Sequence, residues 1–252
     1  MAQKFLISIL LILAASCGPR KTGEGITLAV AANMQYAMEE IAGAFTEQTG
    51  IPCELVVSSS GKLTAQIREG APFDVFISAD LKYPRDLEAS GLATLPPEVY
   101  AYGKLVLWTL EEGLEPSLEV LTSDAVRHIA LANPKTAPYG QAAMETLERT
   151  GLLEPVRNKL VYGESISQTN QFITSRAAEI GFTALAVVRS PEMRDQGAWI
   201  AIDPGLYQPI AQGIVLVRHP DRDPQRALAF YTFVFSTEAK AILKRYGYTV
   251  NE

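Results

Sequence analysis

Cysteine and histidine are scarce in this 252-residue chain, with two of each, and tryptophan also numbers two. With only His128 and His219 and no Cys/His cluster, a zinc site has no ligands. With Cys17 expected to carry lipid, Cys53 stands alone, and one cysteine cannot close an internal disulfide. In the strand-like "IPCELVV" it reads as a small buried hydrophobe. Positive charge is in deficit: 22 Lys and Arg against 28 Asp and Glu leave a formal net charge of −6. Nucleic-acid binding through counterion release is therefore not indicated, and the acidic balance reads as a solubility device. An anionic ligand would gain nothing from long-range attraction. Tandem repeats and low-complexity stretches are missing, and so is a P-loop: "SSSGKL" lacks the earlier glycine and has Leu63 where a hydroxyl would hold magnesium.

One long apolar run is present, within "MAQKFLISILLILAASCGPRKTGEG" at the start of the chain. Lys4 gives it a positive end, residues 5–13 are apolar, and small residues precede Cys17. The run is too short to span a bilayer, so residues 1–16 are expected to be a signal peptide. Ala14-Ala15-Ser16-Cys17 resembles the bacterial lipobox, in which the cysteine becomes the lipidated first residue. Several acyl chains anchor a protein firmly where one does not, and residues 17–25 would then be a polar tether. The competing reading is an ordinary signal peptide cut nearby, with Cys17 incidental.

The rest of the chain, 48% hydrophobic overall, has ample material for a core. From Ile26 onward, strand-like and helix-like segments alternate. "ITLAVAA" is followed by "MQYAMEEIAGAFTEQTG", which places Met34, Ala37, Met38, Ile41, Ala42 and Phe45 on one helical face and stops at Gly50. "CELVVS", "KLTAQIREG", "FDVFISA" and "LKYPRDLEASG" continue the rhythm, and "KLVLWTL", "HIALANP" and "KLVYG" repeat it with their helices. The chain closes on one strong helical pattern from Pro224 to Gly247. Such alternation predicts an α/β protein of two lobes, each a mostly parallel sheet flanked by helices. The expected division is residues 26–104 plus 218–252 for one lobe and 105–217 for the other, with "YAYGKLVLW" and "GIVLVRH" as crossings.

Four strand-to-helix junctions share one design. "AVAAN" ends in Asn33, an N-cap candidate; "VSSSGK" carries Ser58, Ser59 and Ser60; "NPKTAPYGQ" carries Tyr139 and Gly140; "YGESISQTN" carries Ser165, Ile166 and Ser167. Helix starts expose unpaired N–H groups and the positive end of the helix dipole, so each can cap itself or bind an anion. In open α/β sheets ligands sit just beyond the carboxyl ends of the strands. Two facing lobes would aim four such junctions at one point. Neutral donors in a dry cavity suit a compact, fully ionised oxyanion. Lys62 either bonds that ligand or points to solvent. Glu164 either accepts a proton from it or is a first-turn acid facing water. Trp108, Trp199 and the aromatic set Phe230, Tyr231, Phe233 and Phe235 read as packing.

The motifs "AVAANMQYAMEEIAGAF", "SSSGKLTAQIREGAPFDVFISAD", "YGKLVLW", "HIALANPKTAPYGQAA", "EIGFTALA" and "AKAILKRYGY" carry a resemblance across residues 25–250. The chain resembles the molybdate-binding extracytoplasmic components of ABC importers, which have the type II periplasmic-binding-protein fold. That resemblance implies a ligand set of Asn33, Ser60, Tyr139 and Ile166 (through its backbone N–H), with Ala32 offering only its amide. It also implies molybdenum held through its oxygens, with no direct protein ligand to the metal, and neither cofactor nor catalytic residue. Two site patterns occur in the family, and this chain fits the one with asparagine at the first junction and tyrosine before the glycine of "APYG". In the other, a tyrosine stands where Ala184 does here. Asp80 would cap a helix. The implied partners are a small oxyanion (molybdate or tungstate), an ABC permease with its ATPase and a membrane through the lipid anchor, with no nucleic acid; the chain would be an extracytoplasmic monomer. A lipoprotein sensor of an oxyanion and an enzyme on the same bilobed fold are the alternatives.

Overall fold

The computed structural model describes residues 25–220 and 224–251. The expected signal peptide and Cys17 lie outside the described residues. The first lobe opens with β1 (Ile26–Ala31), α1 (Gln35–Thr49), β2 (Cys53–Ser58), α2 (Ser60–Arg68), β3 (Val75–Ser78), α3 (Lys82–Ala89) and β4 (Glu98–Gly103). The second holds β5 (Leu105–Thr109), β6 (Ile129–Ala132), α4 (Pro138–Arg149), α5 (Leu153–Val156), β7 (Leu160–Gly163), α6 (Ile166–Thr174), β8 (Ile180–Ala184), α7 (Leu185–Val188) and β9 (Ala198–Ala201). The chain then returns through β10 (Ile210–Leu216) and ends with α8 (Gln225–Val234) and α9 (Thr237–Arg245).

Local chemistry explains these limits. The six apolar residues expected on one face of the first helix are all buried, and Gly50 ends α1 with φ 71° while its N–H bonds the Thr46 carbonyl. The closing helical pattern is two helices rather than one. Ser236 takes an extended conformation and its hydroxyl accepts from the Ala239 N–H, so a new N-cap interrupts the turn. Phe45 meets Phe230 edge-to-face at 5.2 Å, which fixes α1 against α8.

Each lobe is built on a five-stranded sheet, with orders β2-β1-β3-β10-β4 and β7-β6-β8-β5-β9. β1 runs parallel to β2 and β3, and β6 parallel to β7 and β8, whereas β10 and β5 are antiparallel to both their neighbours. In each sheet four strands therefore share one sense and a single strand, β10 or β5, opposes them, so the sheets are mostly parallel, as expected, with one antiparallel strand apiece. The reason is directional: strands that end at the cleft share one sense, and a strand entering a lobe from the cleft must oppose it. Hydrophobic pattern carries no strand direction, so the sequence did not reveal this.

One lobe boundary moves. β10 pairs with β3 and β4, which puts residues 210–217 in the first sheet and not in the 105–217 lobe. The return crossing accordingly precedes "GIVLVRH". The outward crossing is the single residue Lys104 between β4 and β5, inside the expected segment.

Apolar residues of β1, α1, α8 and α9 form the core on one face of the first sheet, and Leu63, Ile67, Phe76 and Leu87 form it on the other. The second lobe's core extends through Ala31, Ala32 and Ala79, so the two halves touch where β1 and β3 end.

Gly140 fits the contact between α4 and β6: a Cβ there would lie 2.0 Å from the Ala132 carbonyl oxygen. Its smallness serves helix-on-strand packing. Gly140→Ala should cost about 1–3 kcal/mol through overpacking, read as a lowered midpoint in thermal denaturation.

Candidate functional site

The carboxyl ends of β1, β2, β6 and β7 converge, and the segments that follow them enclose a small cavity. Ala32, Asn33, Ser60, Tyr139 and Ile166 all line it, and so does Ser59. Its volume of about 10 Å³ is about that of a site for a single water molecule. Among the described residues, no Lys, Arg, His, Asp or Glu lines it. Among the described residues, no group of three or more His, Cys, Asp or Glu could hold a metal ion.

Each junction arrives in its own way. Asn33 sits inside a 3-10 turn (Ala32–Met34) and caps nothing. Its carboxamide instead donates to Gln212 Oε1 at 2.8 Å and to Tyr248 Oη at 3.1 Å. Ala32, 5% exposed, brings only backbone to the cavity. Ser60 opens α2, and its hydroxyl oxygen accepts from the Ala79 N–H at 3.0 Å. That bond uses a lone pair and leaves the hydroxyl proton to give. Ser59, the N-cap of α2, makes no capping bond, and its buried Oγ has no partner. Sequence reasoning named the serine run but singled out Ser60; the signal for Ser59 is its orphaned hydroxyl, which only packing reveals.

Tyr139 is 2% exposed, in the first turn of α4 behind Pro138. Burial, helped by the nearby phenols of Tyr248, Tyr207 and Tyr100, holds its pKa well above that of a free tyrosine, so it stays protonated. The hydroxyl approaches that of Tyr248, yet no partner meets hydrogen-bond geometry. Ile166 begins α6, buried, with its first-turn N–H lacking an intrahelical acceptor. Ser165 is spent on capping, since its side chain accepts from the Gln168 N–H.

Lys62 and Glu164 pair with each other at 2.7 Å across the rim, both about half exposed. Neither lines the cavity, and as a surface ion pair they contribute about 0–1 kcal/mol. Neutral contacts at the rim also join the lobes: the Gly61 N–H donates to the Thr136 carbonyl at 2.9 Å, and the Tyr83 hydroxyl to the Lys135 carbonyl at 3.1 Å. Asp80 accepts from the Tyr83 N–H at 3.3 Å and so serves the start of α3. The histidines lie elsewhere, His128 bonded through its N–H to Glu179 and His219 through its ring to the Phe73 carbonyl. Trp108 is wholly buried with its indole N–H on the Gln196 carbonyl. Cys53 is half-buried, and burial pushes its thiol up to about 11.

The arrangement offers uncharged donors from both lobes and no ionised acceptor. It suits a small anion with no proton of its own, because a protonated oxyanion would need an acceptor for its O–H.

A family model described as bacterial extracellular solute-binding protein matches residues 26–249. The molybdate-binding protein ModA of Azotobacter vinelandii is 38% identical over 225 residues, covering 88% of this chain and 89% of that one. ModA of Rhodobacter capsulatus is 38% identical over 231 residues, covering 91% and 90%. The solved periplasmic molybdate-binding protein of Azotobacter vinelandii superimposes with a TM-score of 0.84 at 34% identity, over 90% of this chain and 100% of that one.

An orphaned buried hydroxyl costs stability while it waits for an acceptor, about 1–3 kcal/mol. Tyr139→Phe should therefore raise the ligand-free melting temperature, by roughly 2–4 °C per kcal/mol recovered. Differential scanning calorimetry of the ligand-free chain reads this, and a lowered midpoint would mean that the hydroxyl has a structural partner.

Proposed function

The chain belongs to the bacterial extracellular solute-binding protein family, and from that premise we propose that it binds molybdate outside the cytoplasm and delivers it to an ABC importer. One observation carries the reading: a cavity of neutral donors, two of its hydroxyls buried without partners, drawn from both lobes of a chain 38% identical to proteins named for binding molybdate. The relatives' names describe binding proteins and no reaction, and the cavity offers neither histidine nor carboxylate for acid–base work.

In this reading the dianion enters an open cleft, and lobe closure surrounds its oxygens with donors. Ser60 and Tyr139 give hydroxyl protons, and the first-turn amides at Ala32, Asn33 and Ile166 give N–H groups. Ser59 adds a hydroxyl to the set expected from sequence. Hydrogen bonds to a charged partner contribute about 1.5–3 kcal/mol each before association and desolvation costs. Tungstate, nearly the same size, belongs to the same ligand class. Sulfate is smaller and leaves donors stretched, and phosphate at neutral pH brings a proton that the lining cannot accept. The chain fits the site pattern with Asn33 at the first junction and Tyr139 in "APYG"; Ala184, which has no hydroxyl, leaves the phenolic donor to Tyr139.

All donors come from a single chain, so a monomer suffices. Cys17 in its lipobox-like setting would anchor that monomer to the outer side of the membrane, with permease and ATPase as partners.

Thermal shift with molybdate, tungstate, sulfate and phosphate in parallel ranks the ligands, because stabilisation follows RT ln(1 + [L]/Kd). The expected order is molybdate and tungstate together, then sulfate, then phosphate; sulfate equal to molybdate would end the proposal. In calorimetric titration, Tyr139→Phe should weaken molybdate binding about ten- to a hundredfold.

A further inference from the structure

Asn33 and Ser60 come from different junctions, yet one buried amide behind the cavity links them. Gln212, on β10, is wholly buried beside an irregularity in the ladder between Gln212 and Gly213. Its Oε1 accepts from Asn33 Nδ2 at 2.8 Å, and its Nε2 donates to the carbonyls of Ala79 (3.3 Å) and Ile210 (3.1 Å). The Ala79 N–H, in turn, donates to Ser60 Oγ. Tyr248 holds Asn33 from another side: its hydroxyl donates to the Asn33 carbonyl at 2.8 Å and accepts from Asn33 Nδ2. A two-way bridge between Tyr102 and Thr249 fixes the backbone beside Tyr248. Neither Gln212 nor Tyr248 lines the cavity. Both Asn33 amide protons are thereby committed, and its carboxamide has one orientation.

Gly103 completes the arrangement. A Cβ there would lie 2.0 Å from Tyr139 Oη and 3.0 Å from Gln212 Nε2, so both groups occupy the space that this glycine leaves. Gly103 ends β4 at the outward crossing, and Gln212 lies on the strand that returns. The network therefore joins both crossings to the donors of the site.

We propose that Gln212 and Tyr248 are positioning residues of the oxyanion site, fixing Asn33 relative to Ser60 and so setting how sharply the cavity separates tetrahedral anions by size. The role rests on the molybdate reading above. Satisfied buried networks rigidify what they hold, and donors that cannot follow a smaller anion bind it less well. A purely structural role for Gln212, feeding the carbonyls of Ala79 and Ile210, predicts a different response to substitution.

The test uses the full chain with Gln212→Met, Tyr248→Phe, Asn33→Ala and the two double variants that include Asn33→Ala. Calorimetric titration with molybdate and with sulfate is combined with melting of the ligand-free proteins. Each positioning variant alone should weaken molybdate binding about tenfold and narrow the molybdate-to-sulfate ratio. In the Asn33→Ala background Gln212→Met should change affinity by no more than about twofold, since its Oε1 holds the Asn33 carboxamide, whereas Tyr248→Phe keeps the part of its effect that runs through the Asn33 carbonyl. A Gln212→Met loss that adds in full in that background, or a lowered melting temperature with parental affinity and ratio, overturns the positioning role. Tyr248→Phe keeps the ring and tests the role even if Gln212→Met does not fold. A parent that binds neither anion overturns the molybdate reading and this role with it; a parent that binds molybdate beside unchanged variants overturns this role alone.

Discussion

Hydrogen-bond donors buried without acceptors are the constraint on which the rest of this structure depends. A hydroxyl removed from water and left unpaired is unfavourable, and folded proteins rarely tolerate it. Here the Ser59 hydroxyl is left so in a residue that lines the cavity, the buried Tyr139 hydroxyl has only a loose approach to Tyr248, and the proton of Ser60 is available. The fold retains them by placing each at the rigid start of an element whose interior is well packed. Under the proposed function, an anion accepting from these groups would convert that local deficit into affinity.

The two-lobed architecture follows from the same requirement. A single strand-to-helix junction supplies a few donors from one direction, whereas a tetrahedral ion must be met from several. Two sheets with their strand ends facing each other meet it, and the crossings at Lys104 and before β10 allow the facing halves to belong to one chain. The rim contacts of Gly61 with Thr136 and of Tyr83 with Lys135 are made by neutral groups. The Lys62–Glu164 pair adds charge only at the solvent edge. Charge therefore stays out of the cavity lining among the described residues.

Several site assignments changed meaning once packing was visible. Asn33 resembled an N-cap because asparagine before a helix usually is one; its amide is instead turned toward Gln212 and Tyr248, residues 179 and 215 positions away. Gly140, at the third junction, serves packing, since its close neighbour is the Ala132 carbonyl. Glu164 and Lys62 each had two open readings, and they resolve into one pair. For Asn33, and for the pairing of Lys62 with Glu164, the partner is remote in sequence, so no local pattern could name it.

The sequence alone determined the elements and the four junctions. Apolar periodicity, helix-stopping glycines such as Gly50 and small polar residues at helix starts are local properties, and they place Asn33, Ser60, Tyr139 and Ile166 at strand ends. Only the tertiary structure decided the one antiparallel strand in each sheet, the membership of β10, the orphaned Ser59 hydroxyl and the Gln212–Tyr248 support behind Asn33. Strand direction and hydrogen-bond satisfaction depend on which distant segments become neighbours, and a side chain's chemistry does not encode that until the chain has closed on itself.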